Sequence, residues 1–353
     1  MRSAAIACVS FCLCACAAGP DPESRDPEWS VVQVDPTTSL RGLCVVSPKV
    51  LWVSGSRGVV QKSVDGGVTW SAVGPAAGAG LDFRSIAAID ERTALVASAG
   101  DVSRVYRTAD GGASWTLVFE DPRSGAFFDA MVFATGASDG ESSPARAYLL
   151  GDPIGGVFQL FVSDDSGLTF EPRTTLPTAV PNEAMFAASC SCLCARGDEV
   201  AIVTGGAMSR ALRSHDGGRT WGPSMLPLQQ GKDSQGAFSV AFTAGNELVA
   251  VGGDYKEQER RDGVAAYTDD GGRVWRASSG LTGYRSGVAV AADGATCVAV
   301  GPLGASWSRD AGATWSAFGN NGFHAVAIAG SLVVAVGQGG RIGITRLETR
   351  MAR

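Results

Sequence analysis

The chain has 353 residues, 47 of them glycine, with 45% apolar and 18% charged residues and a formal net charge of -6. A net-acidic chain lacks the basic face that a nucleic-acid backbone binder needs, so no nucleic-acid partner is expected. Much glycine with little charge excludes a disordered chain and suits a β-rich domain with many tight turns.

Residues 1–15 read as an export signal. Arg2 precedes an uncharged run from Ser3 to Cys16, too short to cross a bilayer as a helix and the right length for a signal core. The run ends in Leu13-Cys14-Ala15-Cys16, which resembles the bacterial lipobox, where the cysteine is lipidated and becomes the new N-terminus. The alternative is an ordinary cleaved signal ending near Ala17 or Ala18. Residues 16–28 are Pro-rich and polar, as a solvated tether should be. The expectation is an exported lipoprotein held at Cys16, in the periplasm or at the cell surface, touching the membrane only through that anchor. On the alternative it is soluble in the periplasm or secreted.

From residue 29 the chain repeats. One motif occurs six times, first as Ser63-Val64-Asp65-Gly66-Gly67-Val68-Thr69-Trp70 and then around Asp110, Asp165, Asp216, Asp270 and Asp310. This is the Asp-box, S/T-x-D-x-G-x-T/S-W. Its carboxylate suits the backbone N–H groups of a hairpin turn, and the Gly two residues on supplies a positive φ. These aspartates are therefore read as structural and not catalytic.

A second repeat gives the blade number. Seven short apolar strands open at Leu40-Arg41, Phe83-Arg84, Phe128-Asp129, Phe186-Ala187, Phe238-Ser239, Tyr284-Arg285 and Phe323-His324. Each is followed by a second apolar run, a third strand entering a box, and a fourth opening at the box aromatic. Four antiparallel strands per unit make a propeller blade. The seventh unit lacks a box, and Glu28-Trp29-Ser30-Val31-Val32-Gln33-Val34 looks like the segment that follows each box. The expected fold is therefore all-β: a single seven-bladed β-propeller over 29–347, closed by its N-terminal strand, with a tail at 348–353. The repeat length is about 46 residues, in the propeller range.

Cys190, Cys192 and Cys194 alternate, so on a strand they would share one face. Strand neighbours two apart are poorly placed for a disulfide, and the two histidines, His215 and His324, lie elsewhere in sequence. The three are read as small buried hydrophobes, as are Cys44 and Cys297. No metal and no cofactor is expected.

With the boxes, the runs Phe127-Phe128-Asp129-Ala130, Gly252-Gly253-Asp254-Tyr255, Tyr284-Arg285-Ser286 and Gly322-Phe323-His324-Ala325-Val326 make the chain resemble bacterial relatives of the photosystem II stability/assembly factor. These are also called BNR or Asp-box propellers. The resemblance spans essentially all of 29–347. It implies a non-catalytic assembly or binding role and an arginine patch on one face. Some relatives carry an oxidoreductase label, but no G-x-G-x-x-G opens a helix here.

Propellers carry function where loops meet at the channel mouth. That end should gather Arg41, Arg84, Asp129, Ser239, Arg285 and His324 from strand openings, and Arg57, Asp152, Asp254 and Tyr255 from adjoining turns. The long turn Lys256–Asp262 should stand over it. The preferred reading is a monomeric, non-catalytic scaffold binding a protein or acidic ligand through this Arg-containing face. The alternative is a glycoside hydrolase, sialidase-like or otherwise glycan-active. It would use Arg41, Arg84 and Arg285 as a carboxylate-binding triad, or paired carboxylates drawn from Asp129, Asp152 and Asp254. The Arg-Ile-Pro run of sialidases is absent from the sequence.

Overall fold

The computed structural model describes residues 28–136 and 144–347. The signal segment 1–15, Cys16, the tether up to residue 27 and the tail 348–353 lie outside the described residues.

Seven antiparallel sheets form the molecule, six of them four-stranded. Their innermost strands are Leu40–Val45, Asp82–Ala88, Phe128–Phe133, Leu193–Arg196, Gln235–Phe242, Gly287–Val290 and Ala325–Ala329. Each packs on the next around a ring. Most second strands, among them Leu51–Gly55, Ala94–Ala99, Leu248–Asp254 and Leu332–Gly337, are buried at every position. They have a strand on each edge and a blade on each face, so they read as unbroken apolar runs. Outermost strands are short and exposed, such as Ser71–Ala72 and Arg276–Ala277. Short edges offer little to pair with another chain.

The last sheet is completed by Ser30–Gln33, which pairs antiparallel with the third strand Arg341–Arg346. Trp29 anchors this closure. It stacks on Phe318 at 5.7 Å and tilts against Phe323 at 4.9 Å, between the sixth and seventh blades.

Each of the six Asp turns joins a third strand to a fourth in the same way. The Ser or Thr that opens it donates to the aspartate, as Ser63 does to Asp65 at 2.8 Å, and accepts the N–H of the second glycine. The aspartate then takes the N–H four residues on, as Asp216 takes that of Thr220 at 2.8 Å. Those second glycines have φ between 81 and 91°, where a side chain would be strained.

These bonds favour the charged carboxylate. Hydrogen bonds from Thr69 hold Asp65 at about 2. Burial would raise Asp165, but bonds from Thr169 and Ser163 outweigh it and leave it at about 2 as well. A carboxylate depressed in the fold contributes stability that is present above its unfolded value and lost as pH falls through the folded one. Melting should therefore drop steeply between about pH 4 and pH 2. Asp165→Ala should lower Tm at pH 7 by about 3–6 °C and flatten part of that acid limb. Parallel Tm–pH curves for variant and wild type would refute the assignment.

The fourth blade departs from the expected pattern. Its innermost strand starts at Leu193 and not at Phe186, so Cys190 and Cys192 are not on a strand and the three cysteines do not share a face. Glu183–Ala184, before it, and Gly205–Gly206, after the second strand, extend the fifth sheet to six strands. Glu183 fixes this insertion. Its carboxylate is fully buried and takes Arg210 at 2.6 and 2.8 Å, Thr204 Oγ1 at 2.7 Å and the N–H of Val180 at 3.0 Å.

Candidate functional site: the channel mouth

Antiparallel blades place the strand openings and the second-to-third turns at one end, and the Asp turns at the other. At the first end a backbone device recurs. Opposite a continuous second strand, the innermost strand carries one extra residue at Arg41, Arg84, Asp129 and Phe238. Such a bulge re-aims its side chain out of the sheet alternation. The residue before it fills a buried slot, as Leu40, Phe83, Phe128 and Ala237 do. In most blades a glycine closes that slot: a Cβ on Gly55, Gly151, Gly252, Gly301 or Gly337 would meet the facing backbone.

This register corrects two expected rim positions. In the fifth blade the bulge is Phe238, so Ser239 points inward, fully buried, and accepts the N–H of Val288 at 2.9 Å. In the sixth blade Gly301 faces Arg285, which therefore occupies the slot held elsewhere by Leu40 or Phe323. Arg285 is 0% exposed and donates to Tyr284 O, Thr282 Oγ1 and Ser306 Oγ at 2.8–3.0 Å. Burial pushes it down to about 10. It joins no triad with Arg41 and Arg84.

The remaining groups divide by sign. Blades seven, one and two supply Arg341, Arg41, Arg57 and Arg84. Arg84 pairs with Asp82 at 2.7 Å, whereas Arg41, Arg57 and Arg341 make no ion pair among the described residues. His324 feels three of these charges. It is pushed down to about 4, first by burial and then by the charges of Arg41, Arg341 and Arg84. Its Nδ1 lies 3.0 Å from Leu40 O. Arg341 was not anticipated from sequence. It opens the third strand after the Gly339-Gly340 turn, and a bridge between Ser39 and Gln338 sets that turn beside the first blade.

Blades three and five supply the acids. Asp129 is 0% exposed and neither carboxylate oxygen has a hydrogen-bond partner among the described residues. Burial, then the neighbouring Asp152, raises it well above the usual carboxylate value, against the pull of Arg84. Asp152 accepts the N–H of Met185 at 3.0 Å and is itself raised by burial. Asp254 is committed to its own loop. Burial would raise it, but Ser234, the Lys256 N–H and Gln235 bring it below the usual value. With Asp129 sealed and Asp254 engaged, the three carboxylates form no open pair. Tyr255 is 40% exposed and stands edge-on to the stacked Phe186 and Phe238 rings. The Lys256–Asp262 turn packs against its neighbours: Gln258 O accepts from Tyr284 N and Asp262 O from Gln229 Nε2.

A second unanticipated feature lies inside the ring. Residues 186–192 leave the edge of blade four and touch four other blades. Ala188 O accepts from Arg41 Nη1 at 3.2 Å, Ser189 Oγ donates to Ser286 O at 2.6 Å, Ser191 Oγ meets Ser239 Oγ at 2.7 Å and Cys190 Sγ donates to Met131 O at 3.3 Å. A segment reaching the innermost strands of blades one, three, five and six lies across the channel. Its alternating Ser and Cys residues pointed instead to a strand. Among the described residues, no group of three His, Cys, Asp or Glu is placed to hold a metal ion.

No family model matches the chain, and no characterised protein matches it by sequence. Solved structures do match in shape. YCF48 bound to D1 peptide superposes with a TM-score of 0.63 at 17% identity, over 91% of this chain and 97% of that one. YCF48 from Cyanidioschyzon merolae gives 0.61 at 14% identity, over 90% and 98%. The GH74 xyloglucanase from Xanthomonas campestris gives 0.63 at 14% identity, over 93% of this chain but only 55% of its own. The chain is a seven-bladed β-propeller structurally related to YCF48.

Proposed function

We propose that the chain is a non-catalytic binding propeller whose channel mouth receives an acidic protein segment. The observation that carries this is the basic sector in which Arg41, Arg84 and Arg341 act on His324, with Arg57 on the adjoining turn, in a chain of net charge -6. Arg41, Arg57 and Arg341, which have no acid partner among the described residues, suit carboxylates, which guanidinium groups bind by paired, charge-assisted hydrogen bonds. One solved propeller of this shape is described as bound to a peptide, which supports a peptide over a small substrate. We further propose that the protein is exported and lipidated at Cys16, so that the mouth works outside the cytoplasm.

Arg41→Ala combined with Arg341→Ala should weaken binding of an acidic peptide about tenfold or more. The pair Arg219→Ala with Arg273→Ala, at the Asp-turn end, should leave affinity unchanged. Fluorescence anisotropy with a labelled Glu-rich peptide reads both. Equal losses from the two pairs would remove the site from the mouth.

A further inference from the structure

Arg41 is the one arginine of the basic sector that is already engaged inside the channel. Its Nη1 donates to the carbonyl of Ala188. Burial, then the charge of Arg84, depresses it, so the guanidinium sits where positive charge is disfavoured. A backbone carbonyl compensates such a group weakly, and a carboxylate does so roughly twice as well. The segment carrying that carbonyl belongs to no strand. The strand begins only at Leu193, after it, and Cys190 sits at φ 60°. Phe186 stacks on Phe238 at its start and two backbone bonds, Val240 N to Ser191 O and Val203 N to Cys192 O, hold its end, while its middle is tied to blades five and six by the hydroxyls of Ser189 and Ser191. A non-glycine residue in the left-handed region stores strain that its surroundings must hold.

We propose that residues 186–192 are a displaceable plug, whose Ala188 carbonyl occupies Arg41 until an acidic ligand at the mouth takes that guanidinium. This rests on the reading of the mouth as an acidic-ligand site and gives it a regulation. Ligand and plug compete for one group, so the observed affinity is the intrinsic one reduced by the fraction of molecules with Arg41 free. Anything that loosens the plug should tighten binding. Conversely, ligand should loosen the plug's remaining contacts, at Ser286, Ser239 and Met131, in channel-facing positions that it never touches.

The test uses the full chain and a fluorescein-labelled hexaglutamate peptide. Ser189→Ala with Ser191→Ala removes the two hydroxyl bonds that tie the plug to blades five and six, and the bond between the two hydroxyls, and leaves every mouth arginine in place. It should tighten the peptide about 5- to 30-fold, with near-UV circular dichroism confirming the fold. Independently, hydrogen exchange on the unmutated protein should show amides of 186–192 exchanging several-fold faster with peptide bound. Peptide binding with unchanged exchange in 186–192, and the same affinity in the serine variant, would overturn the plug while leaving the mouth site standing. No binding to either protein would overturn both. Binding to the variant alone would support the plug most directly.

Discussion

Asp129→Asn should make the protein more stable at neutral pH, by about 2–4 kcal/mol on the scale of an uncompensated buried charge. The side chain is 0% exposed with neither oxygen bonded among the described residues. The groups facing it are Asp152 on the second strand, Cys192 in the plug and Arg84 on the neighbouring blade. Only Arg84 favours the ionised form. A carboxyl raised in the fold contributes fully below its unfolded value of about 4, and that contribution drains away as pH rises towards the folded one. Asparagine keeps the shape and does not titrate. Urea unfolding should therefore show no gain near pH 4, a clear gain at pH 7 and an equal or larger one at pH 8.5. A gain of the same size at every pH, or a loss at pH 8.5, would contradict the burial argument. The Asp turns weaken the fold on the acid side and Asp129 weakens it on the alkaline side, so the variant should broaden the stable range upward only.

Deleting Trp29–Val34 should have the larger effect on the molecule as a whole. Trp29 is 9% exposed and fills the space between Phe318 and Phe323. Truncating a buried aromatic of this kind costs about 3–5 kcal/mol by itself. The deletion also unpairs Arg341–Ile344 from Ser30–Gln33. That leaves an open edge on a strand whose residues Ile342 and Gly343 are buried, which invites pairing with another chain. The expected product is soluble only as higher oligomers, or not at all. A monomer by light scattering, melting with the wild type, would show that the seventh blade does not need its borrowed strand. The milder Trp29→Ala separates the two contributions, because it empties the cavity but keeps the pairing.

The fold was legible because its signals are local and repeated. Six Asp turns fix where third strands end, and the buried second strands announce themselves as apolar runs closed by glycine. The mouth was legible in part. Arg41, Arg84, Asp129 and His324 follow the apolar slot as expected, because the bulge that aims most of them sits at a constant offset from it. Arg285 was misplaced because alignment on the aromatic Tyr284 is one residue off. The better guide is the small residue two positions after the slot, namely Gly42, Ser85, Ala130, Ser239, Gly287 and Ala325, which puts Arg285 itself in the slot. The plug was illegible for a physical reason. A segment inside a ring answers to several partners from different blades, and the alternation of Cys190, Cys192 and Cys194 mimics the period of a strand that forms only from Leu193.

The closure of the ring also dictates an order of events. Gln33 Nε2 bonds Gly339 O across 306 residues of chain, and the strand it belongs to finds its partner only when nearly the whole sequence is present. Contacts of this span are slow to form, because loop entropy is lost before they repay it. The first six blades can assemble from local hairpins as they emerge, each supplied with its own outer strand. The seventh cannot. Until the last residues arrive, the chain's leading strand stays unpaired and every earlier intermediate is an open arc with two bare ends. Sealing the circle is thus the final, committed step of folding, and a chain threaded through a membrane from its N-terminus would carry that unmated strand across first.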